Sequence, residues 1–260
     1  MKYIAKNPLV ILAVGLLIVL GSSVGATRAA FQYKSEANEV DFRTSEVKVA
    51  VLEGTDDKEN NDMKDVSKKA VLSFPGVPTD DVKIGKKYPE VVSVKNTSSK
   101  YNEYVRVIVK KYWVKEGKDG QLVKDTSLDP SLIKLDIDGN NAKWIVDKSA
   151  HTDEQEIYYL AVPLKVGETA SLVRGVTISN KVVTAVKTNT AKDENGKGIL
   201  GTIEDTYIYD GGSFYVDVKV DAIQTHNAKD AIMGAWGVEA NIQPQDEGNI
   251  ISINEVSSTN

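Results

Sequence analysis

The chain has no cysteine, and this absence excludes several kinds of site at once. Without cysteine there is no disulfide, no lipid anchor on a cysteine, no thiolate ligand for zinc and no thiol nucleophile. Histidine is almost as scarce, because the 260 residues include only two. The fold must therefore be held by its hydrophobic core, which a chain of this length can bury without covalent cross-links.

Basic patches are also missing from the sequence. The 32 Lys and Arg residues are interspersed with 37 Asp and Glu residues, and the formal net charge is −5. An acidic chain gains nothing from the release of phosphate counterions, so nucleic acid is not an expected partner. The net charge is instead typical of a protein that must stay soluble.

The two histidines argue against a metal-dependent enzyme. His151 and His226 are far apart in the sequence, and neither a His-Glu-x-x-His motif nor a paired-aspartate signature is present. A zinc hydrolase needs about three nitrogen or oxygen ligands and a general base. We therefore expect no catalytic residue, no metal site and no cofactor, and we expect both histidines in polar surface positions.

The N-terminus has the pattern of an export signal. Lys2 and Lys6 precede an apolar run from Leu9 to Leu20, which is broken only by Gly15. A helix that spans a bilayer needs roughly 20 apolar residues, so this run is short for a stable anchor and suits a signal peptide. Residues 1–29 are therefore predicted to be a signal peptide, and the mature protein is predicted to be secreted.

Small residues after this run mark the expected cleavage site. Thr27 and Ala29 occupy positions −3 and −1 of a cut between Ala29 and Ala30, while Val24 and Ala26 would direct a second possible cut. An uncleaved anchor is the alternative, and only that segment would contact a membrane. Because exported eukaryotic domains of this size usually carry disulfides, export without cysteine favours a Gram-positive source.

Most of the remaining sequence alternates with period two, which indicates strands. In Phe214–Ile223 the even positions are apolar and the odd positions are mainly polar. In Tyr104–Val114 the apolar face carries Val105, Val107, Val109 and Trp113, and its interruption at Lys110-Lys111 predicts a sheet edge or a β-bulge. Further strands are predicted at Val40–Leu52, Val91–Lys95, Leu132–Ile137, Lys143–Val146, Glu156–Leu164, Thr169–Ser179 and Ile203–Tyr209.

Many strands separated by short polar turns predict an all-β fold, an antiparallel β-sandwich over residues 30–242. The charged segments 54–69 and 189–201 are expected to be flexible insertions, and the polar tail 243–260 is expected to be loosely held, apart from Ile250, Ile251 and Ile253. One helix is predicted after Asn227, which would be its N-cap, and Gly237 would end it. Its apolar positions, including Ile232 and Trp236, should pack on the sandwich.

Two further features each allow a functional interpretation and a structural one. Asp136–Asn141 alternates oxygen ligands as a calcium loop does, but a Glu is not present at the twelfth position, so a hairpin turn is favoured. Trp113, Trp144 and Trp236 could form a carbohydrate platform. Apolar neighbours favour core packing for Trp113 and Trp236, whereas both interpretations remain for Trp144.

Several motifs in order along the chain resemble a known family. The signal ends in Gly25-Ala-Thr-Arg-Ala-Ala-Phe31, which is similar to export signals processed by a SipW-type signal peptidase. The other matching segments are Val91–Thr97, Tyr104–Val107 with Trp113, Trp144, Tyr158-Tyr159, Leu164–Glu168, and Val220–Asn227 running into Ala235–Gly237. Together they resemble the TasA/camelysin-related group of exported Gram-positive proteins over most of residues 20–240.

The resemblance implies a jelly-roll-like sandwich and, for the best-known members, fibres of the extracellular biofilm matrix built by donation of an N-terminal strand. The corresponding element here would be Ala30 to about Glu53, with Phe31, Tyr33, Val40 and Phe42 as strand residues. In the alternative, Val47–Leu52 is the first strand of the chain's own sandwich and only residues 30–44 are free. A self-associating matrix or cell-surface protein is thus the leading hypothesis, with other matrix or cell-wall components as possible partners. A monomeric surface binding module and a camelysin-like peptidase are the alternatives.

Overall fold

The computed structural model describes residues 47–55, 63–69, 71–78, 82–138, 144–192, 198–244 and 247–255. These residues form antiparallel sheets with two short α-helices, so the all-β prediction is confirmed. The described strands in chain order are β1 (Val49–Gly54), β2 (Lys64–Asp65), β3 (Lys87–Tyr88), β4 (Val91–Asn96), β5 (Glu103–Glu116), β6 (Leu122–Lys124), β7 (Ile133–Ile137), β8 (Trp144–Val146), β9 (Gln155–Leu160), β10 (Thr169–Ile178), β11 (Val186–Lys192), β12 (Gly198–Tyr207), β13 (Ser213–Gln224), β14 (Val238–Gln243) and β15 (Asn249–Glu255). The α-helices are α1 (Lys181–Thr184) and α2 (Ala228–Trp236), and Pro130–Leu132 forms one turn of 3-10 helix.

The first sheet of the sandwich is organised around β10. Strand β10 pairs with β4 over Thr169–Val173, and β4 in turn pairs with β1, whose outer side carries the short β2. Val176 and Thr177 pair with β3 and also with β7, so these two strands lie on opposite sides of β10. The order across the sheet is therefore β2, β1, β4, β10 and β7, and β3 lies beside β10 on the same side as β4.

The second sheet is organised around the long strand β5. Strand β13 pairs with β5 over its whole described length, from Gln224 opposite Glu103 to Ser213 opposite Val114. On the other side of β5, β9 pairs with Arg106–Lys110 and the hairpin strand β6 pairs with its end. Strand β8 pairs with β9 and forms the far edge.

The main hydrophobic core lies between these two sheets. Val105, Val107, Val109 and Trp113 are buried on one face of β5, as the alternation predicted, and Val216 and Val218 of β13 pack in the same cluster. The first sheet contributes a comparable set: Val51, Val92, Val94, Leu172, Val173 and Val176. Each such side chain contributes about 1.5–3 kcal/mol when it leaves water, which makes this layer the main source of stability.

A second core covers the opposite face of β5, β9 and β13. Tyr104 and Tyr159 point into it, and α2 supplies Ile232 and Trp236. Gly237 ends the helix with φ 70°, as predicted. Asn227 stands at the N-cap position, as predicted, but it adopts φ 53° and its side chain makes no capping hydrogen bond.

The centre of β5 differs from the sequence prediction. The interruption at Lys110-Lys111 is neither an edge nor a bulge, because β5 lies between β13 and β9 and its register with β13 is unbroken. Lys111 is buried in the strand, and its Nζ lies 3.6 Å from an oxygen of Glu156 on β9. An ion pair across the sheet therefore replaces an apolar contact at this position.

Two further sheets are hairpins of two strands each. Strands β11 and β12 include the described parts of the segment 189–201, which the composition had suggested to be a flexible insertion. Strands β14 and β15 form the other hairpin, so the tail expected to be loosely held contains a paired strand in which Ile250 is buried. Within 54–69, the described residues include the short strand β2 beside β1.

Candidate functional site

The predicted N-terminal assembly element is only partly within the described residues. Ala29, Ala30, Phe31, Tyr33, Val40 and Phe42 lie outside them. Strand β1 pairs with β4 from Val49 opposite Asn96 to Gly54 opposite Val91. Residues 49–53 therefore belong to the chain's own sheet, which favours the alternative in which a donated element can only precede Val49.

The start of β1 is fixed by a buried carboxyl group. The Lys48 N–H donates to Oε1 of Glu103 at 2.9 Å, and the Thr97 N–H donates to the Lys48 carbonyl at 2.8 Å. Glu103 is fully buried at the first position of β5. Burial raises the pKa of Glu103 to about 7, although the hydrogen bonds from Lys48 and Ser98 act in the opposite direction. Residues 48 and 49 are consequently held against the ends of β4 and β5.

One side of the sandwich is covered by the chain itself. The Val66 N–H donates to the Val51 carbonyl at 2.9 Å, and the Leu72 N–H donates to the Val216 carbonyl at 2.9 Å. Val71 and Asp217 form an additional bridge. Val66 therefore lies on the outer edge of β1, and residues 71 and 72 lie on the outer edge of β13, so both cover that side of the core.

The opposite side, formed by β7 and β8, is more open. Within the described ranges, β7 pairs only with β10 and β8 only with β9. Leu135 and Ile137 of β7 and Trp144 of β8 pack against the main core but remain half-buried. Unpaired edges that border a partly covered core are the geometry that accepts an added strand. We call β7 and β8 together the open edge.

Two of the candidate calcium ligands in Asp136–Asn141 form ion pairs with basic side chains instead. Asp136 pairs with Lys87, and Asp138, which is buried, lies 2.7 Å from Nε of Arg174. Residues 139–141 lie outside the described part. The preferred interpretation as a hairpin turn is wrong, because the segment connects β7 of one sheet to β8 of the other.

The residues considered for catalysis and binding are not brought together. His151 is exposed with Nδ1 3.9 Å from Glu156, and His226 is exposed just before α2. In the part of the chain that the structure describes, no three His, Cys, Asp or Glu side chains are placed to hold one metal ion. Trp113 and Trp236 are buried, as predicted, and Trp144 is half-buried with its Nε1 donating to the Ser171 carbonyl at 2.7 Å.

A buried pair of acids has no sequence signal. Glu53 of β1 accepts hydrogen bonds from the Ser73 N–H at 2.6 Å, the Ser73 hydroxyl at 2.8 Å and the Phe74 N–H at 2.9 Å. Glu90 is fully buried beside it, and none of the described groups donates to either of its oxygens. Burial and, secondly, the charge of Glu53 raise the pKa of Glu90 to about 9. Glu90 is thus protonated at neutral pH.

A polar cavity of about 520 Å³ lies where the start of α2 meets the β14–β15 hairpin. Three acidic side chains line it, those of Asp230, Glu239 and Glu247, together with Lys229. Its amide lining comes from Asn227, Asn241, Gln243 and Asn254. Such a lining can hydrogen-bond a hydroxyl-rich or cationic ligand, and it offers no aromatic surface.

Neither of the two described α-helices is long and apolar enough to cross a membrane. No protein-family model matches the sequence. No curated protein matches it either, so membership of the TasA/camelysin-related group stays a prediction.

Among solved structures, the pilus backbone protein RrgB of Streptococcus pneumoniae is similar at 10% identity. The likeness covers 75% of this chain and 87% of that one, with a TM-score of 0.25. A TM-score this low carries no inference about fold or function.

Proposed function

We propose that this protein is a secreted structural subunit of the cell surface or extracellular matrix, and that it forms fibres by donating its N-terminal segment to a neighbouring copy. The observation that carries the proposal is the open edge, where, within the described ranges, β7 and β8 are each paired on one side only and border a core that is still partly exposed. The donor begins at Ala30 and can only precede Val49, because β1 is already paired within its own sheet.

The donor and the open edge are chemically matched. A strand laid along β7 or β8 gains main-chain hydrogen bonds over its length. Its alternating apolar residues, such as Phe31 and Tyr33, would cover the half-buried side chains of Leu135 and Ile137. Each copy then accepts at one site and donates from another, so the contact does not close on itself and propagates as a fibre.

Deleting Ala30–Asp41 from the mature protein is expected to abolish fibre formation while the sandwich stays folded. The truncated copy keeps the open edge but has no donor, so in excess it should also cap the wild-type fibres and shorten them. Electron microscopy measures fibre length, and far-UV circular dichroism checks the fold. Filaments of normal length from the truncated protein, or a wild type that stays monomeric under all conditions, would contradict strand donation.

Cleavage between Ala29 and Ala30 is the second expectation, because it frees the donor only after export. N-terminal sequencing of secreted protein should begin at Ala30. A chain that begins at Met1 or Lys2 would refute both the cleavage site and the delay of assembly until export.

A monomeric surface binding module is the second candidate, and the polar cavity beside α2 favours it. In that case the mature protein would remain monomeric and would bind a soluble hydroxyl-rich or cationic ligand there. The same electron microscopy experiment separates the two, because the binding module requires no filaments.

A further inference from the structure

The two buried acids lie close together on the side of the first sheet that faces the main core. Glu53 of β1 is opposite Val92 of β4, and Glu90 directly precedes β4. Side chains alternate along a strand, so Glu90 is on the same side as Val92, which belongs to the main core. Glu53 and Glu90 are therefore diagonal neighbours, a separation that long side chains can bridge. The influence of the Glu53 charge on Glu90 agrees with this placement.

Hydrogen bonds from Ser73 and Phe74 fix the orientation of the Glu53 carboxylate. Its Oε1 accepts the N–H groups of Ser73 and Phe74 at 2.6 and 2.9 Å, and its Oε2 accepts the Ser73 hydroxyl at 2.8 Å. A carboxylate oxygen has about two acceptor positions, so Oε1 is filled and Oε2 keeps one position free. The Ser73 oxygen also keeps its lone pairs, because it acts as a donor in this contact. Oε2 of Glu53 and Oγ of Ser73 can thus both contact one further group.

Glu90 has no comparable donors. Its side chain is 0% exposed, and neither of its oxygens has a hydrogen-bond partner among the described groups. None of the ion pairs between described side chains includes Glu53 or Glu90. Two carboxylates without a counter-charge are costly to bury, unless one of them keeps its proton or a cation binds between them.

A tight turn packs beside the two acids. The Val77 N–H donates to the Phe74 carbonyl at 2.9 Å, which closes the turn directly after Ser73. A Cβ atom built on Gly76 would lie 2.0 Å from the carbonyl oxygen of Pro89, so the turn contacts the residue that precedes Glu90. The turn helps to exclude water from the acids, and its displacement would open a path to them.

We propose that Glu53, Glu90 and the Ser73 hydroxyl form a binding site for a calcium ion. Glu90 supplies both of its oxygens, Glu53 supplies Oε2 and Ser73 supplies Oγ, while water or main-chain oxygens complete the coordination. Calcium takes about six to eight oxygen ligands in flexible geometry, whereas Mg²⁺ demands a near-ideal octahedron. Two carboxylates also balance the charge of a divalent ion and leave no net charge in the core.

The inference goes beyond the proposed fibre function and uses none of the residues of the N-terminal donor. It is compatible with a protonated Glu90, because the proton occupies this place when no ion is bound. Metal ligands must lose their protons, so the calcium-bound and proton-bound forms exclude each other.

The direct test titrates calcium chloride into the mature protein after treatment with EDTA, followed by isothermal titration calorimetry. We expect a binding event with a dissociation constant of about 10⁻⁴–10⁻³ M, the range of extracellular calcium modules. Calcium at about 10 mM should also raise the Tm by about 3 °C or more, because the ion binds only the folded chain. Magnesium chloride at the same concentration controls for ionic strength and should have a smaller effect. Absence of calcium binding at this concentration would overturn the proposal.

Two substitutions assign the binding to these residues. Glu90→Gln keeps the size of the side chain but removes a charged ligand, and it should weaken this binding event at least about tenfold. Ser73→Ala removes one ligand oxygen, leaves both main-chain donors to Glu53 in place and should weaken binding several-fold. Glu116→Gln, an exposed change on β5, is the matched control and should bind calcium as the wild type does. Far-UV circular dichroism checks that each variant is folded. An unchanged calcium affinity in Glu90→Gln or in Ser73→Ala would overturn the proposal, since the ion would then bind elsewhere.

Discussion

Replacing Trp236 with alanine should lower the free energy of unfolding by about 3–5 kcal/mol, the usual cost of removing a large aromatic side chain from a core. Trp236 is only 8% exposed and belongs to the second core. Its ring centroid is 5.5 Å from that of Tyr159, and the Arg106 guanidinium carbon lies 5.2 Å from the ring centroid. Truncation removes all of these contacts and leaves a cavity between α2 and the sheet. Urea unfolding followed by far-UV circular dichroism measures the loss.

Met233→Ala is the matched control, since Met233 lies on the same helix and is 38% exposed. Its truncation should change the free energy of unfolding by less than about 0.5 kcal/mol, as expected of surface positions. A loss below about 1 kcal/mol for Trp236→Ala would instead mean that Trp236 does not pack into the core in solution and is available to a partner.

Local pattern was enough to predict the main strands of the two sandwich sheets and helix α2. The alternation in β5 and β13 identified both the strands and the face that enters the main core. The spacing of Ile232 and Trp236 and the position of Gly237 predicted α2. These features depend on neighbours within one or two turns or pleats, so the sequence near each residue contains the information.

Contacts between distant segments could not be predicted in this way. The local pattern predicts an interruption at Lys111. It misleads because the residue that pairs with this charge, Glu156, lies on another strand of the sheet and is distant in the sequence. The charged composition of 189–201 was interpreted as a loop, although its described residues extend a hairpin. The open edge exists only because the strand order places β7 and β8 on the side opposite to β1 and β13. Strand order is a property of the whole chain.

The buried acids are the clearest example, because an acidic residue in a strand is normally interpreted as facing water. Glu53 can be buried because Ser73 and Phe74 together donate three hydrogen bonds to its carboxylate. Glu90 has no such donors among the described groups, so it remains buried by keeping its proton. The energetic consequence is a stability that depends on pH.

Glu90→Gln is expected to stabilise the protein increasingly as pH rises. The pKa of Glu90 is about 9 in the folded state and near its ordinary value of 4.5 when unfolded, so the folded protein binds this proton more tightly. Below pH 4.5 both states are protonated and Glu90 carries no penalty. Between pH 4.5 and about 9 the free energy of unfolding falls by about 1.4 kcal/mol per pH unit from this group, which amounts to about 3 kcal/mol at pH 7. Above the folded-state pKa of Glu90, ionisation of this group no longer lowers the free energy of unfolding.

Glutamine keeps the shape of protonated Glu90, but it has no proton to lose. The difference in unfolding free energy between Glu90→Gln and wild type should therefore be smallest near pH 4 and should grow through pH 8, as measured by urea unfolding at each pH. Glu103, whose pKa is also raised, affects both proteins equally and cancels in this difference. Glu116→Gln, an exposed change on β5, is the control and should leave the pH profile unaltered. A difference that stays constant from pH 4 to pH 8 would show that Glu90 is ionised in the folded protein at neutral pH.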